Sequence, residues 1–132
     1  LRFSELVLDN GSGLSRSERI SADSLNRLLL DAWKSPAMPE FVSSMPIVGI
    51  DGTMKKRLKD AEAAGRAHIK TGTLDGVKTA AGYALDAQGR RYAITFFINH
   101  PRAQSGSAAI DALINWIAQR RAGEKSVALE TE

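Results

Sequence analysis

Leu25, Leu28, Leu29, Ala32 and Trp33 recur at three- and four-residue spacing and draw one apolar stripe along a helix. Ser21 is placed to cap its start, and Ser35-Pro36 requires it to stop. Before it, residues 4–8 alternate weakly and run into Asp9-Asn10-Gly11-Ser12-Gly13, a dense turn signal that predicts a tight loop. After it, Pro39 opens a short helix through Phe41 and Val42, and residues 45–53 read as an extended, glycine-punctuated connection. Thr53 is expected to cap a basic helix running to residue 64, with Gly65 as its stop.

The period then changes from helical to two. Residues 66–74, 77–86 and 90–99 are rich in Ile, Val, Thr, Tyr and Phe, and only Asp75-Gly76 and Ala87-Gln88-Gly89 separate them. Gaps of hairpin size predict three consecutive antiparallel strands. Phe96 and Phe97 are adjacent, so they face opposite ways, which suits a sheet covered by helices on both faces. From about residue 107 to 121, Ala108, Ile110, Leu113, Ile114, Trp116 and Ile117 mark a helix whose broad apolar face fits one lying across that sheet. The fold class expected is therefore α+β. Residues 123–132 sustain no pattern and are expected to form a mobile tail outside a single domain of residues 1–122.

Composition narrows the function classes. A chain of 132 residues with 43% hydrophobic content builds one modest core. The net charge of +3 would suit an anionic polymer, but the basic residues are scattered apart from Lys55, Lys56, Arg57 and Lys59. With two tyrosines, two tryptophans and four phenylalanines to stack bases, that cluster reads as a solvated face, and nucleic acid is not an expected partner. The lack of cysteine excludes disulfides, zinc–thiolate sites and thiol catalysis in these residues. His68 and His100 have no third ligand at metal spacing, so both read as structural or surface residues, and neither a metal nor another cofactor is expected. No apolar run approaches the roughly 20 residues that span a bilayer. The opening Leu1-Arg2-Phe3-Ser4-Glu5 has neither an initiator methionine nor the layout of a signal peptide, so the chain is expected to be part of something longer.

The chemistry concentrates in Lys70-Thr71-Gly72-Thr73, on the first predicted strand. Lys-Thr-Gly is one of three signatures that penicillin-binding proteins and serine β-lactamases gather around a nucleophilic serine, the others being Ser-x-x-Lys and Ser-x-Asn. No serine here has a lysine three positions later. Ser24-Leu25-Asn26 matches Ser-x-Asn in letters only: it lies inside the leucine-striped helix and reads as a capping-turn serine and an exposed amide. Ser12 and Ser15 have glycine neighbours, yet neither satisfies Gly-x-Ser-x-Gly, so their loop reads as structural, with Ser12 bracing a cleft. Asn10-Gly11-Ser12 is formally a glycosylation sequon.

Four segments in this order, residues 9–16 (DNGSGLSR), 45–54 (MPIVGIDGTM), 68–74 (HIKTGTL) and 81–84 (AGYA), resemble the low-molecular-mass D-alanyl-D-alanine carboxypeptidase/endopeptidase family related to penicillin-binding protein 4. The resemblance covers about residues 5–120 and implies the C-terminal portion of a penicillin-binding/β-lactamase-like domain. It implies serine-type hydrolysis of peptidoglycan peptides through an acyl-enzyme, binding of β-lactam antibiotics and a periplasmic location. In that family Ser-x-x-Lys and Ser-x-Asn precede the Gly-Ser-Gly-Leu-Ser loop, so the resemblance assigns the nucleophile to an N-terminal part of the same protein, and these 132 residues alone are expected to be inactive.

On this resemblance Lys70 is the catalytic cation of the cleft, attracting the substrate's terminal carboxylate and easing proton transfer. Thr71 and Thr73 share one strand face and offer hydroxyls to the same carboxylate. Gly72 removes a side chain where substrate approaches, or else marks a bulge. The Thr73 N–H is the expected half of an oxyanion hole, and the Thr73 and Leu74 backbones are expected to pair with an extended peptide. The alternative is a non-catalytic module of the same fold that binds peptidoglycan or a protein partner, with Lys70 and the two threonines holding a carboxylate.

Overall fold

The computed structural model describes residues 1–121, so the expected tail at 123–132 lies outside the described residues. Helix α1 (Ala22–Ala32) begins where Ser21 caps it: the Ser21 Oγ accepts the Ser24 N–H at 3.1 Å and donates to Glu5 Oε1 at 2.8 Å. α2 (Met38–Ser43) starts with Pro39 in its first turn. Strands β1 (Ala67–Leu74), β2 (Val77–Leu85) and β3 (Arg91–Asn99) form one antiparallel sheet in the order β1-β2-β3, and α3 (Ser107–Gln119) closes the described fold. The α+β architecture expected from the change of period is the one observed.

Alternation sorts the strand side chains onto two faces. Ala67, Ile69, Ala80, Ala84 and Ile94 meet Ile110, Ile114 and Ile117 of α3, with Val48 and Met54 filling the same core. On the opposite face Tyr83 packs with Leu29 of α1, with Val42 and Met45. The Tyr83 hydroxyl donates to the Leu29 carbonyl at 2.5 Å, and burial pushes its pKa up. Phe96 joins the α3 core while Phe97 lines a cleft on the α1 side, as their adjacency requires.

Register along β1–β2 is continuous from Ala67↔Ala84 to Leu74↔Val77, so Gly72 marks no bulge. A Cβ at Gly72 would lie 2.5 Å from the Thr79 hydroxyl across the ladder, and one at Gly82 would lie 2.0 Å from the His68 carbonyl oxygen. At Gly82 the backbone oxygen and φ of 154 demand glycine, whereas at Gly72 the atom in the way is the end of the Thr79 side chain.

Three expectations need correction. The basic helix at 53–64 does not form: a 3₁₀ turn, Gly52–Met54, is followed by turns whose bonds reach back three residues, as Arg57 N–H to Met54 O and Ala61 N–H to Leu58 O. Met54 is drawn into the core, Leu58 is left-handed at φ 55, and Arg57 reaches across to Asp111 of α3 at 2.6 Å, so tertiary contacts override a run with too short an apolar stripe to hold a helix. Second, Ser24 is buried and Asn26 half-buried, its Oδ1 accepting from the Thr95 hydroxyl at 3.4 Å; Ser21 alone is the cap. Third, Trp116 is 48% exposed on the outer side of α3, beneath the Arg120 guanidinium at 4.7 Å.

Candidate functional site

β1 is an edge strand, and only the first half of its outer edge is paired. The Ala67 carbonyl accepts the Val48 N–H and the Ile69 N–H donates to the Pro46 carbonyl, both at 2.9 Å. A strand residue points its N–H and C=O the same way and successive residues alternate, so Thr71 and Thr73 also aim their backbone groups outward. Among the described residues no backbone group pairs with them from that side. The ladder on the outer edge ends where Lys70-Thr71-Gly72-Thr73 begins.

Lys70 is exposed, and its Nζ bends over this open edge to donate to the Thr71 carbonyl at 2.8 Å. Thr71 and Thr73 share the α3 side of the strand, with Thr71 half-buried and Thr73 exposed. Leu74 differs: by the same alternation its backbone faces β2, opposite Val77, and its carbonyl accepts from Gln104 Nε2 at 2.8 Å, so among the described residues only Thr73 of that pair keeps free edge groups. The Leu74 side chain instead lines a cleft of about 570 Å³ between the sheet and the N-terminal loop, shared with Leu6, Val7, Arg16 and Phe97.

That loop is closed at its base by reciprocal Val7–Arg19 backbone bonds of 2.9 and 3.0 Å. Gly11 and Gly13, both at φ 74, set its turns. Ser12 Oγ accepts the Leu14 N–H at 3.3 Å and Ser15 Oγ contacts Ser17 Oγ at 2.8 Å, so both hydroxyls serve the loop itself. Ser15, not Ser12, reaches the cleft wall. Arg16 Nη1 donates to the Asp75 carbonyl at 3.1 Å and ties the loop to the turn after β1. Among the described residues His68 Nδ1 is buried on the α1 side without a hydrogen-bond partner, and His100 Nδ1 accepts the Arg102 N–H at 3.1 Å.

Two groups escape the sequence reading, one beside this edge and one at the opposite end of β2. Thr53 Oγ1 lies 3.1 Å from Thr71 Oγ1, although the sequence marks Thr53 only as a helix cap. No local pattern could reveal a contact that depends on how the 46–54 segment docks on the edge strand. Asp86, fully buried after β2, is the second: its carboxylate accepts from the Gln88 and Arg90 N–H groups at 2.9 Å and from Arg90 Nε at 2.6 Å. Its signal is a strand-end aspartate ahead of a glycine turn.

The model of the D-Ala-D-Ala carboxypeptidase 3 (S13) family matches residues 1–120. A D-alanyl-D-alanine carboxypeptidase from Actinomadura sp. (strain R39) is 36% identical over 89 residues, 64% of this chain and 16% of that protein. D-alanyl-D-alanine carboxypeptidase DacB from Haemophilus influenzae is 33% identical over 101 residues, 75% of this chain and 21% of that protein. The crystal structure of penicillin binding protein 4 (dacB) from Haemophilus influenzae superposes with TM-score 0.72 and 28% identity, covering 86% of this chain and 28% of that one. The same protein complexed with a novel β-lactam gives the same TM-score. The chain spans between 16% and 30% of the length of these relatives.

Proposed function

Since this chain belongs to the D-Ala-D-Ala carboxypeptidase 3 (S13) family, we propose that residues 1–122 form the substrate-binding wall of a serine D-Ala-D-Ala carboxypeptidase/endopeptidase whose nucleophile lies outside these 132 residues. The observation that carries the reading is the open outer edge of β1 beyond Ile69, where the Lys70 ammonium bends over the edge to the Thr71 carbonyl and the backbone groups of Thr71 and Thr73 face outward.

Each group has a part in acyl transfer. A peptidoglycan peptide ending in D-Ala-D-Ala lies antiparallel along the free edge at Thr73 and gains main-chain hydrogen bonds. Its terminal carboxylate accepts from the Thr71 and Thr73 hydroxyls and sits in the field of the Lys70 ammonium. The serine oxygen supplied from outside these residues attacks the penultimate carbonyl carbon. The oxygen of that carbonyl gains negative charge, which the Thr73 N–H stabilises together with the nucleophile's own N–H. Collapse expels the terminal D-alanine and leaves an ester on the serine, and water then releases the shortened peptide. Lys70 also lowers the cost of proton transfer through the neighbouring Ser-x-Asn serine. Gly72 removes a side chain where the substrate approaches, and the Leu74 side chain presents an apolar wall to the adjoining cleft.

A β-lactam presents a carboxylate beside a strained amide and would occupy the same groups, becoming an ester on the same serine. The relative solved with a novel β-lactam supports this. A periplasmic, peptidoglycan-facing location follows from the family's substrate. No helix among the described residues is long and apolar enough to cross a membrane.

The test uses the full-length protein that carries these residues and a peptide ending in D-Ala-D-Ala. Wild type should release D-alanine, and Lys70→Ala should lower kcat/KM by about a hundredfold, the order for losing an electrostatic stabiliser of an acyl-transfer transition state. A wild type that binds the peptide without turnover would instead make this a binding module, and a Lys70→Ala variant with unchanged kcat/KM would remove Lys70 from the chemistry.

A further inference from the structure

Thr53 and Thr71 are 18 positions apart in sequence, yet their hydroxyl oxygens lie 3.1 Å apart at the point where the paired half of the β1 edge gives way to the open half. The segment that carries Thr53 is fastened to the same strand. Pro46 and Val48 bond to Ile69 and Ala67 of β1, Asp51 Oδ1 accepts the Ile47 N–H at 2.6 Å, and Met54 is fully buried. Gly52 sits at φ 51 with the Pro46 ring 2.9 Å from where a Cβ would be, so a side chain there would strain the turn that presents Thr53. Farther along, Arg57 ties the segment to Asp111 of α3. Thr53 itself is exposed, so the position of its hydroxyl is set by this anchoring rather than by burial.

A hydroxyl has one hydrogen and two acceptor lone pairs. Of two threonines in contact, one donates to the other and only the acceptor keeps its hydrogen for a third group. A carboxylate can only accept. If Thr71 spends its hydrogen on Thr53, it turns a lone pair toward an anion on the edge and repels it. If Thr53 donates, the Thr71 hydrogen is free to point at the anion. Only the second arrangement binds a carboxylate, and acceptance from Thr53 also polarises the Thr71 hydroxyl in the favourable direction.

We infer that Thr53 is a positioning residue: in the liganded site its hydroxyl donates to Thr71 Oγ1 and thereby directs the Thr71 hydrogen to the carboxylate of the peptide or β-lactam. Thr53 acts through Thr71 and need not touch the ligand. The inference rests on the reading of Thr71 as a carboxylate-binding group.

The experiment measures acylation of the full-length protein by a penicillin and by its methyl ester, which keeps the reactive ring but has no anionic carboxylate. Thr53→Val preserves shape and deletes the hydroxyl; Thr53→Ser keeps it. With the penicillin, Thr53→Val should slow acylation about tenfold, the order for one hydrogen bond that supports a charged ligand, with the loss in half-saturating concentration rather than limiting rate. With the ester, rates should stay close to wild type. Thr53→Ser should restore the penicillin rate, and Thr53→Val combined with Thr71→Val should be no slower than Thr71→Val alone. A wild-type penicillin rate in Thr53→Val, equal losses for penicillin and ester, or a serine variant as slow as the valine would each overturn the inference while leaving the proposed function intact. Failure of wild type to be acylated at all would sink both.

Discussion

Asp86 shows what one residue contributes that the hydrophobic pattern hides. Its side chain is 0% exposed, and burial by itself pushes the carboxyl pKa up. The Arg90 side chain and the Arg90 and Gln88 N–H groups outweigh that effect and hold it at about 2, against an ordinary 3.8. Glu5 behaves alike: hydrogen bonds from Ser24 and then Ser21 lower it from 4.5 to about 2. Both folded pKa values are depressed, so the stability they confer is fully present above the unfolded values and is lost as pH falls through them toward 2. Thermal melts should therefore show Tm falling between pH 4.5 and 2, and Asp86→Asn should lower Tm at pH 7 while weakening that acid dependence. A variant with the wild-type Tm at both ends of that range would contradict this account of the β2–β3 turn. In sequence Asp86 is legible only as a strand-end aspartate ahead of a glycine turn; its burial and its partners come from how that turn folds back on its carboxylate.

Elements were largely legible, because each carries its own period. The leucine stripe and Ser21 cap give α1, the alternation of Ile, Val, Tyr and Phe gives three strands with hairpin gaps, and Ile110, Ile114 and Ile117 give the buried face of α3. The segment after Thr53 was misread because its shape is decided by distant partners, the Met54 pocket and Asp111, which no local pattern encodes. Contact between elements has a similar hidden component at Tyr83. Its ring packs at 5.3 Å from that of Trp33, while its hydroxyl donates to a carbonyl of α1 that already accepts from the Trp33 N–H. Tyr83→Phe removes one buried hydrogen bond without opening a cavity, so denaturant unfolding should show a loss of about 1 kcal/mol with an unchanged m-value. A loss near zero would mean that the Tyr83 hydroxyl adds nothing to the contacts that join α1 to the sheet.

At the scale of the whole molecule, helices among the described residues cover both sheet faces and leave open the proposed functional surface, the outer edge of β1 with the cleft beside it. The motif that defines this surface was legible as letters. Its geometry was not: alternation along β1 turns the Thr71 and Thr73 backbones outward, the 46–48 segment stops the ladder at Ile69, and Gln104 engages the Leu74 carbonyl. On the proposed function this strand edge is half a site: it would bind and polarise the substrate, while the nucleophile would come from outside these residues. The most direct test of that claim is to treat the full-length protein carrying these residues with a fluorescent penicillin, digest it and map the adduct by mass spectrometry. The account predicts one ester-linked adduct on a serine outside these 132 residues, with its yield strongly reduced in Lys70→Ala. An adduct on Ser12, Ser15 or Ser24, or no adduct at all, would contradict it.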